Sequence, residues 1–429
     1  MRLTLRLIFL LVLSIYITGC FNKRINKYTY DSNGNIIEFV HLDEDNNPYP
    51  TRSRYVSYTK KYDTNDNHIE TAYWGIDKQP VMYKNEFHKI KFEYNDYNLL
   101  SMMSYFGTNN NPCLSREDDA ASFTIQYDQN SNGIEAAYFG IDGKPRVNLD
   151  GYAYILKQYD KHGNLIQTKF LDVDRNPCIS TNGWAKGEYR YNDENRAVET
   201  SFSDTNGIPC LIDDNYSKQL LSYDLYGNKT NRSYFGIKGE PCTNRYGYHR
   251  EEYLYDPNTN LLKQAYFDKA NNPYLVYDQY FCIGYNYDDK GNIIETTIWG
   301  TNNTLIVGKT GFAKAKTRYD YDNNTIESTY YGTNDEPCLA NSKCFRVIVR
   351  KDKNERPISV KYFGLDNNPC IGPKGFATLK IKRNKDGKYI RGTFYNEKGV
   401  IIANPTKEEN ETDSKNSNNA TNIIQGVQQ

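Results

Sequence analysis

Six of the nine cysteines occupy one recurring position, and thiols at a fixed spacing could form disulfides or bind a metal. A disulfide ladder or a metal stack is one interpretation. A small buried side chain at a tight strand start is the other, and we favour it because other copies of the position hold apolar residues such as Val81 and Ile306. We call this recurring position the cysteine column; Cys282 and Cys344 do not belong to it. Its members each follow a proline: Cys113, Cys178, Cys210, Cys242, Cys338 and Cys370.

A glycine, an aromatic residue and an alanine also recur together at one position, and rings presented in this way could stack on sugars. A bend at the entry to a strand, with the ring packed inside, is the alternative that we favour. The candidate ligand-binding residues are therefore four aromatic side chains: Tyr152, Trp184, Phe312 and Phe376.

Other residues do not have the spacing of a catalytic or metal site. The turn at residues 31–35 begins like a calcium loop but lacks the glutamate that an EF-hand needs at its twelfth position. The 5 histidines are scattered, and there is no His-x-x-x-His, Cys-x-x-Cys, Gly-x-Ser-x-Gly or phosphate-binding loop. We expect no metal site, no cofactor and no catalytic residues.

The sequence unit that must position these residues is repeated twelve times. Successive units begin 32 residues apart, except for one step of 33 residues between Tyr94 and Tyr127. A fixed period of about 20 to 50 residues indicates one supersecondary unit stacked in tandem. We call the first residue of each unit, usually the tyrosine of a Tyr-Asp pair, the marker. The markers are Tyr30, Tyr62, Tyr94, Tyr127, Tyr159, Tyr191, Tyr223, Tyr255, Tyr287, Tyr319, Lys351 and Arg383.

Each unit predicts a β-hairpin and a connection that ends in proline. Before Tyr319, alanines alternate with Lys314, Lys316 and Arg318, which places these basic residues on one face of a strand. A turn such as residues 160–164 follows, because Gly and Asn adopt positive φ easily, and a proline such as Pro145 closes the second strand. The sequence predicts an all-β, elongated tandem β-hairpin array. Two strands per repeat separate successive cysteines by about 9–10 Å, beyond the reach of a disulfide at about 7 Å.

The turn sequence Tyr-Asp-x-x-Gly-Asn, at residues 159–164 and 287–292, resembles the YD repeat of RHS-type bacterial surface and secreted proteins. Residues 234–242 are also similar to MORN-like hairpin repeats. The resemblance covers residues 30–403 and implies a hairpin-repeat fold. Because the unit is longer than the usual YD unit, and we identify no RHS core or toxin-like domain, we do not expect a closed toxin-enclosing shell.

The N-terminus has the pattern of a secretory signal: Arg2 and Arg6 precede a short apolar run. Residues 17–20, Ile-Thr-Gly-Cys, resemble a bacterial lipobox, which implies a lipoprotein signal peptide at 1–19 and a lipidated Cys20; an ordinary signal peptide with an incidental cysteine is the alternative. Phe21, where an Asp would resemble an inner-membrane retention signal, favours the outer membrane or cell surface. We predict a tether at 20–26, the array at 27–404 and a disordered polar tail at 405–429.

Composition narrows the function classes. The 53 basic and 53 acidic residues cancel, and no basic stripe in the sequence indicates nucleic-acid binding. We therefore predict a non-enzymatic envelope protein, held to the membrane through lipidated Cys20, that presents a binding or adhesion surface to an unknown envelope or host protein or glycan. The alternatives are a glycan-binding module that uses the recurring aromatics and, less favoured, an envelope hydrolase.

Overall fold

The computed structural model describes residues 25–403, except 44, 52, 278, 385, 386 and 388. Cys20, the predicted signal peptide and the predicted tail at 405–429 lie outside the described residues. The chain divides into two compact units whose boundary falls between Ile212 and Asp213. The described residues form strands and turns with no helix, which confirms the predicted all-β tandem β-hairpin array. Accordingly, no helix in this part of the chain could span a membrane.

The first unit contains twelve strands that pair antiparallel in chain order. A hairpin such as β3–β4 has a ladder of six residue pairs, whereas neighbouring hairpins such as β2 and β3 are joined by three. The chain enters the sheet at Ile25, inside the predicted tether, because Ile25 and Asn26 pair with β2. The strands are β1 Ile25–Tyr30, β2 Ile36–Leu42, β3 Ser57–Tyr62, β4 His68–Trp74, β5 Lys89–Tyr94, β6 Leu100–Phe106, β7 Ser122–Tyr127, β8 Gly133–Phe139, β9 Tyr154–Tyr159, β10 Leu165–Leu171, β11 Lys186–Tyr191 and β12 Ala197–Ser203.

The second unit continues the same pattern with twelve strands and a short thirteenth. The final pair, β24–β25, contains two residue pairs. These strands are β13 Lys218–Tyr223, β14 Lys229–Phe235, β15 Arg250–Tyr255, β16 Leu261–Phe267, β17 Cys282–Tyr287, β18 Ile293–Trp299, β19 Lys314–Asp320, β20 Thr325–Tyr331, β21 Arg346–Lys351, β22 Pro357–Phe363, β23 Thr378–Arg383, β24 Tyr389–Tyr395 and β25 Ile401–Ile402.

Three tight turns complete a typical repeat, one more than the sequence predicted. In the repeat that starts at Tyr127, they span residues 128–132, 140–144 and 148–152, and the backbone N–H of the first residue donates to the carbonyl of the last over 2.9 Å in every case. Each turn contains one residue at positive φ, where Gly or a small polar residue costs least. Between the second and third turns, Pro145 bridges back to Phe139 at the end of β8, so the proline closes the strand as predicted.

Aromatic rings from the second strands and the third turns alternate to form the core of each unit. In the first unit, Tyr138, Tyr152, Phe170, Trp184 and Phe202 follow one another with centroid distances of 5.9, 4.4, 4.4 and 5.1 Å. Each such pair contributes about 0.5–1.5 kcal/mol beyond its buried area. The third turn therefore supplies a ring that fills the space between the strand rings of its own repeat and the next. The second unit has the same arrangement in Tyr216, Tyr234, Tyr248, Tyr266 and Tyr280.

Candidate binding face

The four predicted ligand-binding aromatics all lie in these rows of rings. Tyr152 is 3% exposed and Phe376 is 1% exposed, while Trp184 and Phe312 are half-buried. Phe376 contacts core rings on both sides, at 5.6 and 5.3 Å, and Phe312 stacks on Tyr330 at 5.1 Å. Burial and ring contacts of this kind favour packing, the alternative that the sequence analysis had preferred to sugar stacking.

The eight cysteines within the described residues are free thiols. The six of the recurring column are half-buried rather than fully buried, and each Sγ lies 3.5–3.8 Å from a carbonyl in the third turn of the preceding repeat. Burial, followed by the charge of Asp172, raises the pKa of Cys178 to about 11. Since the sheet places two strands in each repeat, successive column thiols belong to different hairpins and pack against the turn between them. The described residues contain no group of three His, Cys, Asp or Glu side chains placed to hold a metal ion.

A buried ionic cluster interrupts the core of the second unit. Glu251, which is 3% exposed, accepts hydrogen bonds from the hydroxyls of Tyr248 at 2.8 Å, Tyr234 at 3.1 Å and Tyr253. Arg232 lies 3.7 Å from the same carboxylate, and its Nε has no hydrogen-bond partner within the described part of the chain.

The neighbouring repeats show how unusual this pair is. Thr200 and Gln264 occupy the position of Arg232 in the adjacent repeats, and Gln219 and Ile283 that of Glu251; more distant repeats have residues such as Ala136 and Ile155, and none of these is charged. Both oxygens of Glu251 accept hydrogen bonds from tyrosine hydroxyls of the protein, so the cluster has the character of an internal network.

The solvent side of β19–β24, which we call the basic face, has a different composition. Cross-strand register places its residues on one surface, since Arg318 lies opposite Glu327, Arg350 opposite Ser359, and Lys382 opposite Arg391. The acidic members are Asp320 and Glu327. The basic members are nine: Lys314, Lys316, Arg318, Arg346, Arg350, Lys361, Lys380, Lys382 and Arg391.

Among the residues that the structure describes, most of these cations lack an anionic partner. Lys314 pairs with Asp335 at 2.6 Å, and Arg346 with Glu327 at 3.1 Å. The other seven basic residues of the face make no ion pair within 4.0 Å to the described residues. The unmatched charge is therefore a property of this surface, although the whole chain is neutral.

The equivalent surface of β7–β12 in the first unit provides a comparison. It carries three basic and three acidic residues: Lys169, Lys186, Arg190, Glu135, Glu188 and Glu199. Two of its cations are paired there, Lys186 with Glu188 at 2.7 Å and Arg190 with Glu199 at 3.3 Å. An ordinary solvated face in this fold is thus balanced, and the basic face is not.

A recess of about 370 Å³ opens on the basic face. Its lining residues are Arg318, Asp320, Asn323, Thr325, Glu327 and Arg350. Its carboxylates are already engaged: Asp320 accepts from the Asn323 side chain at 2.8 Å and backbone at 3.1 Å, and Glu327 accepts from Arg346. The hydrogen bonds from Asn323, and then the charge of Arg318, hold the pKa of Asp320 below its usual value. The two exposed guanidinium groups of Arg318 and Arg350 remain as donors.

Sequence reasoning found one edge of this surface and missed the rest. Alternation placed Lys314, Lys316 and Arg318 on one face, but the sequence analysis considered basic residues only as a sign of nucleic-acid binding and did not predict a wider basic surface. The positive charge comes from every second residue of six successive strands, so its members are spread over residues 314–391 and form no continuous run in the sequence. A count of unpaired charges at the solvent-facing positions of each repeat would have been the signal.

No protein-family model and no curated protein matches the chain. Among solved structures, the crystal structure of TcdB2-TccC3-TEV aligns with 88% of this chain at 10% identity and a TM-score of 0.31. The Tc holotoxin pore of Photorhabdus luminescens aligns with 90% at 11% identity and a TM-score of 0.29. This chain spans 20% of the length of each of those chains. Similarity at this level leaves the function to be argued from the residues themselves.

Proposed function

We propose that this protein is a non-enzymatic scaffold of a bacterial envelope, anchored through lipidated Cys20, whose repeat array presents the basic face to a binding partner. The observation that carries the proposal is the segregation of charge. Nine basic and two acidic residues meet on β19–β24, whereas the equivalent face of β7–β12 is balanced. Unpaired charge of one sign concentrates an oppositely charged partner at a surface and accelerates its association.

The internal residues of the repeat support binding rather than catalysis. The recurring tyrosines, aspartates and cysteines each have a contact within the fold: the hydroxyl of Tyr159 donates to the carbonyl of Gly133, and Asp160 accepts from the backbone of its own turn. The exposed recess has two arginine side chains as donors for a ligand, and its one hydroxyl, on Thr325, donates to the backbone carbonyl of Asn323 at 3.2 Å rather than to a carboxylate that could act as its base.

Anchoring follows from the N-terminal motif. Cys20 precedes the first strand at Ile25 by five residues, which at full extension span at most about 18 Å. A lipid on Cys20 would therefore hold the first hairpin beside the membrane surface. Mass spectrometry of the native N-terminus is expected to find a lipidated Cys20, and Cys20→Ala is expected to release the protein from the membrane fraction. An unmodified start at another residue would remove the anchor from the proposal.

Photocrosslinking in intact cells tests the binding role. A crosslinking residue at Ser359, in the middle of the basic face, is expected to capture an envelope or host component. The same residue at Ser201, on the balanced face of the first unit, is the matched control and is expected to capture less. Equal capture at both positions, or none at Ser359, would contradict a binding role for the basic face.

A further inference from the structure

We propose that the basic face binds an anionic polysaccharide, and that the recess between Arg318 and Arg350 takes one of its carboxylate, sulfate or phosphate groups. This inference rests on the proposed binding function and names its ligand class. It does not use the recurring aromatics that sequence reasoning offered for glycan binding, because those rings pack against other rings of the core.

The recess determines the chemistry of the group that it accepts. Thr325 lies opposite Asp320 on one side and opposite Arg350 on the other, and Arg318 lies opposite Glu327, so the two arginines are diagonal neighbours across β20 in the register of the sheet. The carboxylates there are engaged by Asn323 and Arg346, which leaves two guanidinium groups with free donors. A guanidinium group is suited to a planar or tetrahedral oxyanion, which it can bind through two parallel hydrogen bonds.

The extent of the face indicates a polymer rather than a single small ion. Six strands at about 4.8 Å spacing separate β19 from β24 by about 24 Å. Lys382 and Arg391 lie directly opposite each other at the far end. Like charges in this position cost stability; a bound polyanion would neutralise them, and nothing else in the described residues does.

The rings and the apolar side chains of the face favour a polysaccharide over a nucleic acid or a lipid bilayer. Tyr331, Phe363 and Tyr395 are covered by Lys316 at 5.2 Å, Arg346 at 4.3 Å and Lys380 at 5.1 Å. They are therefore not free to stack on bases as single-strand binding proteins require. The described residues of the face also include no exposed large apolar side chain, and such side chains are what an interfacial membrane binder inserts.

The test measures binding of the purified full-length chain to heparin, polygalacturonate and neutral dextran, with duplex DNA and phosphatidylglycerol vesicles as competing probes. We expect binding to the two anionic polysaccharides, weakened by added salt, and no binding to dextran. The double variant Arg318→Gln/Arg350→Gln is expected to bind them at least about tenfold more weakly. Arg190→Gln is the matched control, because Arg190 holds the same repeat position on the balanced face and pairs with Glu199; its binding should not change.

The results separate this inference from the proposed function. Dextran binding equal to that of heparin, or no loss in the double variant, would overturn the anionic-polysaccharide assignment. Binding to DNA or to vesicles without binding to either anionic polysaccharide would overturn it too. Capture of a protein at Ser359 in intact cells, together with no polysaccharide binding, would preserve the binding role while rejecting the ligand class. Circular dichroism of each variant confirms that it is folded, which is expected because both arginines are exposed.

Discussion

The hydroxyl of Tyr127 donates a 2.8 Å hydrogen bond to the carbonyl of Leu100, which belongs to the preceding repeat. The same bond joins Tyr62 to Ile36, Tyr94 to His68 and Tyr191 to Leu165. In the last repeat, where the marker is Arg383, its guanidinium group donates to the carbonyl of Pro357 instead. In these repeats the marker residue therefore ties a hairpin to its predecessor, across an interface such as β6–β7 where the ladder has only three residue pairs, whereas the marker Lys351 pairs with Glu355.

Tyr127→Phe is expected to destabilise the protein by about 1 kcal/mol, because it removes this bond and leaves the carbonyl of Leu100 partly buried without its partner. Tyr97→Phe is the control, since Tyr97 is 82% exposed in a turn. The shift of the denaturant midpoint measures the difference. Equal midpoints for the two variants would mean that the inter-repeat bond contributes nothing.

The sequence predicted much of this fold, because hairpin strands and turn residues recur at fixed offsets and local patterns determine them. It did not predict the marker bond, since the tyrosine at Tyr127 and the carbonyl that it binds at Leu100 are 27 residues apart. It favoured a bend before Ala153 with the ring of Tyr152 packed inside, but it did not predict that this bend closes as a third turn, through the hydrogen bond from the backbone of Asn148 to that of Tyr152. The basic face was hidden for a third reason: its charges are adjacent only once the cross-strand register is known.

The buried cluster around Glu251 gives a second prediction. Glu251→Ala is expected to lower the free energy of unfolding by about 3 kcal/mol, because it leaves the buried Arg232 without its anionic partner and removes the acceptor of three tyrosine hydroxyls. Replacing the pair together, as Arg232→Met/Glu251→Leu, is expected to restore much of that stability, since uncharged residues occupy both positions in the other repeats and apolar ones do so in some, as at Val360 and Val347.

Chemical denaturation of the single and double variants makes the comparison, with Glu252→Ala, at an exposed neighbouring position, as the control. A double variant at least as unstable as the Glu251→Ala variant would show that loss of the hydrogen-bond network, and not the unpaired charge of Arg232, lowers the stability.

The buried imidazole of His68 is expected to make the free energy of unfolding depend on pH. Burial, followed by the charge of Lys60, lowers its pKa from 6.5 to about 4. Between pH 4 and 6.5 the unfolded chain therefore binds a proton that the folded chain does not, so this group lowers the free energy of unfolding as the pH falls through that range. Above pH 7 it has no effect, because the imidazole is neutral in both states.

Denaturant midpoints at pH 7 and pH 5 provide the measurement. His68→Gln is expected to lose less stability between the two values than the native chain does. His162→Gln, in an exposed turn, should retain the native dependence. If both variants lost stability alike, His68 would not be a source of the acid sensitivity.

The recurring cysteines provide the last prediction, which concerns both their redox state and the architecture. Peptide mapping under non-reducing conditions is expected to find Cys178 and Cys210 as free thiols, because each packs against a turn of the preceding hairpin. With its pKa raised from 9.0 to about 11, Cys178 should react with iodoacetamide at pH 8 about a hundredfold more slowly in the folded chain than in the unfolded one, since only the thiolate is reactive. Its reaction should accelerate as the pH approaches 11. Cys178→Ala is expected to cost about 1 kcal/mol, as an ordinary loss of packing does. A Cys178–Cys210 disulfide would require one strand per repeat, at about 4.8 Å, and would contradict the paired hairpins on which the basic face depends.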